Sequence, residues 1–157
     1  MQLEGGGSMH TEKSDKKSEA AFTLVEILVA IVILSVGLLS IAGLVTTVIR
    51  GNAQSKRLTT AISLAQTKIE ELKNKSYDDS DLEDSNPANN NDLTSTTSVD
   101  HSETDIDGEG NPGGIYTRIW NIADDSPSAN MKTITVIIKW NDSGKERKTS
   151  FTTVISQ

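Results

Sequence analysis

Residues 22–49 form an apolar run of 28 residues that contains no proline and a single formal charge, Glu26. A helix crosses the hydrocarbon core of a bilayer in roughly 20 residues, so this run is long enough to span a membrane. A block this apolar has no polar face to show to water. It must be covered by lipid or by other apolar helices, which rules out an ordinary compact soluble domain for the whole chain. A carboxylate inside such a block costs about 3 kcal/mol on insertion scales. Glu26 therefore either reaches interfacial water or meets a cation.

The remainder of the 157 residues bounds what else the chain can be. About a hundred residues are left for a water-facing domain, enough to fold around a thin core. There is no cysteine, so neither a disulfide framework nor thiolate chemistry is available. The net charge of −7, with no basic stripe after the apolar run, argues against nucleic acid as a partner. His10 and His101 lie far apart in polar surroundings and do not make a metal pair. No nucleophile-base-orienter set and no glycine-rich phosphate loop is present, so no enzyme activity and no cofactor is expected.

Four regions follow from the patterning. Residues 1–21 are polar, and 1–8 read as an appended linker or as sequence upstream of a second start at Met9. Lys13, Lys16 and Lys17 precede the apolar run and favour a cytoplasmic N-terminus, although Arg50, Lys56 and Arg57 on the far side weaken the asymmetry. Residues 22–49 are the spanning segment. Residues 50–75 are amphipathic, with Leu58, Ile62, Ala65, Ile69 and Leu72 lining one helical face and Lys68 among the residues on other faces. The two segments predict one helix over 22–75, about 80 Å long, with Glu71 able to pair with Lys75.

Residues 76–157 are the fourth region. Its first part, 77–114, is rich in Asp, Asn, Ser, Thr and Gly and reads as a long loop with a short edge strand near 93–99. Strands are predicted at 115–122, 131–140 and 148–155. In the first, Tyr116 and Trp120 share a face opposite Ile115 and Ile119. The second brings Ile134, Val136, Ile138 and Trp140 together, and the third Phe151, Thr153 and Ile155. Asn141-Asp142-Ser143-Gly144 is turn chemistry that should join the last two strands as a hairpin. The expected fold class is α+β: a long N-terminal helix whose distal half covers a small C-terminal antiparallel sheet.

The sequence Ala21-Phe22-Thr23-Leu24-Val25-Glu26-Ile27-Leu28-Val29-Ala30-Ile31 resembles the class III signal of type IV prepilins and pseudopilins. That signal is a hydrophilic leader, an aromatic residue, Thr-Leu, an aliphatic residue and Glu, leading into an apolar helix. The following Ile33-Leu34-Ser35-Val36-Gly37-Leu38-Leu39 is similar to minor pilins of the PilV kind, as are residues 64–72 and the strand at 136–140. The resemblance implies cleavage by a prepilin peptidase between Ala21 and Phe22, and N-methylation of the new Phe22 amine. The family usually has Gly before the cut; Ala21 is small but different. The implied life history is a single-pass inner-membrane subunit with a cytoplasmic N-terminus and a periplasmic C-terminal domain, later drawn into a pilus. Its partners would be other pilin subunits through the N-terminal helix, the peptidase, the inner-membrane assembly platform and membrane lipid.

Cleavage would also supply the missing cation, since the Phe22 amine of one subunit can meet Glu26 of the next. Alternatives remain beside this reading: a type II secretion pseudopilin, or a membrane-tethered binding domain that never polymerises. The run could also act as a secretory signal cut near Ser40-Ile41-Ala42. Asp105-Ile106-Asp107-Gly108-Glu109-Gly110 resembles a fragment of a calcium loop, and some pseudopilins bind calcium near their sheet. The full set of ligands at fixed offsets is missing, so Asp105, Asp107 and Glu109 read as a solvated acidic turn ahead of a calcium site.

Overall fold

A computed structural model describes residues 22–157; residues 1–21, where the leader and Ala21 are expected, lie outside them. The chain divides into two compact units at Val45/Thr46. Among the described residues, the first unit consists of the start of one α-helix, α1 (Leu24–Lys73). The second contains the rest of α1, two short 3-10 turns (Ser80–Leu82 and Pro87–Asn89) and four strands. The strands are β1 (His101–Ile106), β2 (Tyr116–Asp124), β3 (Met131–Asp142) and β4 (Lys145–Ser156), antiparallel in the order β1-β2-β3-β4. The long helix followed by a four-stranded antiparallel sheet is the α+β, type IV pilin-like architecture expected.

The helix begins where its first turn can be capped. Thr23 lies outside α1, and its hydroxyl accepts from the Glu26 amide at 3.2 Å. This satisfies one of the orphan donors of the first turn. The distal half of α1 closes the core of the second unit. Ala61, Leu64, Ala65 and Leu72 are buried against Tyr116, Trp120, Ile122, Ile134, Val136, Ile138 and Trp140. The alternation expected of β2 and β3 is thus observed, and Phe151 and Ile155 of β4 pack on the same cluster.

The stripe on α1 is rotated from the expected one. Leu58 is 42% exposed and Ile62 only half-buried, whereas Lys68, expected on a polar face, is 2% exposed. The cause is a partner set that periodicity does not reveal. The Lys68 ammonium sits 4.1 Å from the centre of the Trp120 ring and pairs with Glu71 at 3.0 Å and Glu103 at 3.5 Å. A buried ammonium is tolerated when it is paired in this way. Glu71 is therefore engaged by Lys68, and Lys75 turns instead to Asp81 at 2.6 Å.

The edge strand expected at 93–99 is not formed; the first strand starts at His101. In the 93–99 segment local side chains take the backbone donors that a ladder needs. Asp92 Oδ1 accepts from the Thr94 amide at 3.0 Å, and Ser95 Oγ from the Ser98 amide at 3.1 Å. Such turns compete directly with strand pairing. The hairpin between β3 and β4 is as expected. Its two-residue loop, Ser143-Gly144, has φ of 55° and 81°, the left-handed pair that a tight hairpin matched to strand twist requires.

The long acidic segment is held to the sheet chiefly by four side chains, Asp100, Asn121, Trp120 and Lys132. Asp100 accepts from the Asn86 amide at 2.7 Å, the Ile122 amide at 2.7 Å and Asn89 Nδ2 at 3.1 Å. Fully buried Asn121 donates to the carbonyls of Leu93 and Ser95 at 2.9 and 3.0 Å and accepts from the Asp100 amide. The Trp120 indole donates to the Asp81 carbonyl at 2.9 Å and Lys132 to the Leu82 carbonyl at 2.7 Å, seating Leu82 in the core. The face of the sheet away from α1, with Ile119 and Ile137, is buried as well.

Candidate functional site

Within the first unit the site is built from a capped helix start and an uncovered apolar surface. Phe22 is 75% exposed. Thr23 accepts the Glu26 and Ile27 amides through its carbonyl at 3.0 and 3.2 Å and the Glu26 amide again through its hydroxyl. Glu26 thus occupies the third helical position after the cap, the spacing of a capping box, where a carboxylate is favoured by the positive end of the helix dipole. The pattern Thr23-x-x-Glu26 is legible in the sequence, yet an account that treats Glu26 only as a charge in search of a cation overlooks it. Thr23-Leu24-Val25-Glu26 serves two purposes: it starts the helix and it places a carboxylate in the first turn. Among the described residues Glu26 forms no ion pair.

The polar side chains further along the run are handled differently. The Ser35 hydroxyl donates to the Ile31 carbonyl at 2.7 Å and the Ser40 hydroxyl to the Val36 carbonyl at 2.8 Å. Each is satisfied one turn back on the same helix, the arrangement a hydrocarbon environment demands. Glu26 differs: among the described residues its carboxylate has no ion-pair partner. Every Leu, Ile and Val from Leu24 to Ile49 is exposed, and α1 is the one helix among the described residues long and apolar enough to cross a membrane.

Of the three calcium candidates, Asp105 lies near the end of β1, and Asp107 and Glu109 lie between β1 and β2. Asp105 sits at an irregularity in the β1–β2 pairing with φ of 55°, and its carbonyl accepts the Gly113 and Gly114 amides at 2.6 and 2.9 Å. A side chain at Gly114 would collide with the Ile106 carbonyl at 2.0 Å, so this close crossing requires glycine. Asp107 Oδ1 accepts the Glu109 and Asn111 amides at 2.9 and 2.8 Å. Its carboxyl is held below the ordinary value chiefly by the Asn111 amide. Glu109 joins them only in sequence; no group of three or more His, Cys, Asp or Glu able to hold a metal gathers among the described residues. The geometry is that of a self-satisfied turn.

No curated protein and no solved structure matches the chain. Residues 16–42 match the family model described as the prokaryotic N-terminal methylation motif, a stretch that holds Ala21, Phe22 and Glu26 together. That motif is the N-terminal signal of type IV prepilin-like proteins; here it lies on a helix apolar enough to cross a membrane and is followed by an antiparallel sheet, an arrangement consistent with inner-membrane anchoring, processing by prepilin peptidase and assembly with other pilins.

Proposed function

We propose that the chain is a minor type IV pilin, cut between Ala21 and Phe22, methylated on Phe22, and drawn from the inner membrane into a pilus or its initiating tip complex. The observation that carries this reading is the exposed apolar half of α1 with one carboxylate at its capped start that has no ion-pair partner among the described residues. A pure anchor would gain by replacing Glu26 with Leu. A polymerising subunit has a use for it, because the freed Phe22 amine of a neighbour is a cation of the right sign. In an apolar filament core the two charges attract more strongly than in water. Desolvation takes back much of that gain, so the pair sets axial register more than it adds net stability. The similarity of residues 33–39 to minor pilins favours that branch of the class.

Intact mass and N-terminal sequencing of the membrane-extracted protein test the proposal. A product beginning at methylated Phe22 supports it. One that retains residues 1–21, or that starts at Gly43, overturns it. The type II secretion pseudopilin shares the same motif and the same helix; pilus genes beside the coding sequence separate it from a secretin operon.

A further inference from the structure

We propose that a cleft at the end of the apolar run holds the phosphate of an anionic phospholipid headgroup. The inference rests on the reading of residues 22–49 as a membrane span. The cleft lies wholly within the second unit and has a volume of about 620 Å³. Arg50 and Arg57 line it from α1, seven residues apart and so on one helical face, with small Ala53 between them. Lys145 and Arg147 line it from β4, two residues apart and so on one side of the strand. Asp142 is the one acid in the lining, and it is already paired with Arg57. Among the described residues Arg50, Lys145 and Arg147 have no ion-pair partner.

Three observations select the ligand. The chain carries a net charge of −7, and residues 76–117 contain no Lys or Arg at all, so three unpaired cations in one cleft are a local reversal of sign. Arg50 directly follows Ile49, the last residue of the apolar run, and both line the cleft. Counted from Phe22 at 1.5 Å per residue, Arg50 lies about 42 Å along the helix. A bilayer with its headgroups is about 40–45 Å thick. The cleft therefore opens at headgroup depth, with the apolar side chain of Ile49 on the lipid side. A lipid phosphate seated there would be held by Arg50, Lys145 and Arg147, with the guanidinium groups supplying forked donors. Its role would be to fix the second unit against the membrane before assembly.

The test uses the full chain in detergent micelles doped with phosphatidylglycerol or phosphatidylcholine, with bound lipid read by native mass spectrometry. Each cation near an anionic surface is worth roughly fivefold in binding. The expected result is a preference for phosphatidylglycerol that falls at least about tenfold in the triple variant Arg50→Gln, Lys145→Gln, Arg147→Gln. Arg147→Gln alone should give a graded loss, and Lys56→Gln, outside the cleft, none. Undiminished preference in the triple variant overturns the proposal. So does displacement of the lipid by an equal concentration of inorganic phosphate, which would make this a free-anion site. Displacement by a peptide of residues 76–109 would assign the cleft to the acidic loop of a second copy and overturn it too. Leader removal and pilus incorporation are scored separately: a chain that is cut and assembles without lipid preference sinks this inference alone, and one that selects lipid but is never cut sinks the proposed function alone.

Discussion

In residues 24–49 every Leu, Ile and Val is at least 48% exposed, whereas Ala61, Leu64, Ala65 and Leu72, on the same helix, are at 3% or less. The contrast lies in what each half has been given to cover it. The distal half has a sheet made by its own chain, and one polar member, Lys68, is drawn into that cover over Trp120. Among the described residues the proximal half has no such cover. Its two serines are satisfied internally, its one acid is not, and its apolar surface is uniform around the helix. A helix that is hydrophobic all round is completed by lipid or by other helices. Exposure within a single chain is here a statement about surroundings still to be supplied.

Substitutions in the two halves should therefore act on different measurements. The largest effect is expected from Glu26→Ala, which should abolish incorporation into filaments while leaving the thermal unfolding of the second unit unchanged. Normal incorporation would break the contrast outright. Leu72→Ala should do the reverse, costing about 3 kcal/mol in urea unfolding, as large-to-small changes in a closed core do. Leu39→Ala, in the uncovered half, should leave that unfolding curve in place. Asp100→Ala removes the acceptor for two backbone amides and one side-chain amide, and should cost about 2 kcal/mol with early proteolysis of residues 76–100.

Smaller effects sharpen the picture of the covered half. Lys68→Met should cost only about 1 kcal/mol, because Glu103 keeps Arg118 as a partner at 2.8 Å and Glu71 is 44% exposed to water. The smallest effect is a pH dependence. The hydrogen bond between Lys75 and Asp81 holds the Asp81 carboxyl below its ordinary 3.8 and raises Lys75 above its ordinary 10.5. The Asp81 contribution is present above 3.8 and is lost as pH falls through the lower, folded value. That of Lys75 is full below 10.5 and is lost as pH rises through the higher one. Stability from this pair should be flat between about pH 4 and 10, and Asp81→Asn should remove both edges in a pH series of melts.

Much of the fold was legible because periodicity carries it. The apolar run, the alternation of Ile134, Val136, Ile138 and Trp140, and the turn at Ser143-Gly144 each point to one local structure. The failures share a physical cause. Periodicity puts Lys68 on a polar face because its partners, Trp120 and Glu103, are distant in sequence. Composition suggests an edge strand at 93–99 because it cannot tell a strand from a string of Asx and Ser turns. The capping role of Thr23 is legible locally, in Thr-x-x-Glu. Asp100 and Asn121 carry no local signal, since their meaning lies in groups 11 to 28 residues away.

That economy of attachment has a consequence for how such a surface can change over time. A stretch from Ser76 to Val99 is moored to the sheet at a few points, chiefly the Asp100 carboxylate, the Asn121 amide, the Trp120 indole and the Lys132 ammonium, with Leu82 as its apolar foot. Exposed positions between the moorings, such as Ala88, Asn91 and Thr97, contribute little to staying folded and are open to drift. The outward face of the molecule can be rewritten residue by residue while the scaffold beneath it stays the same.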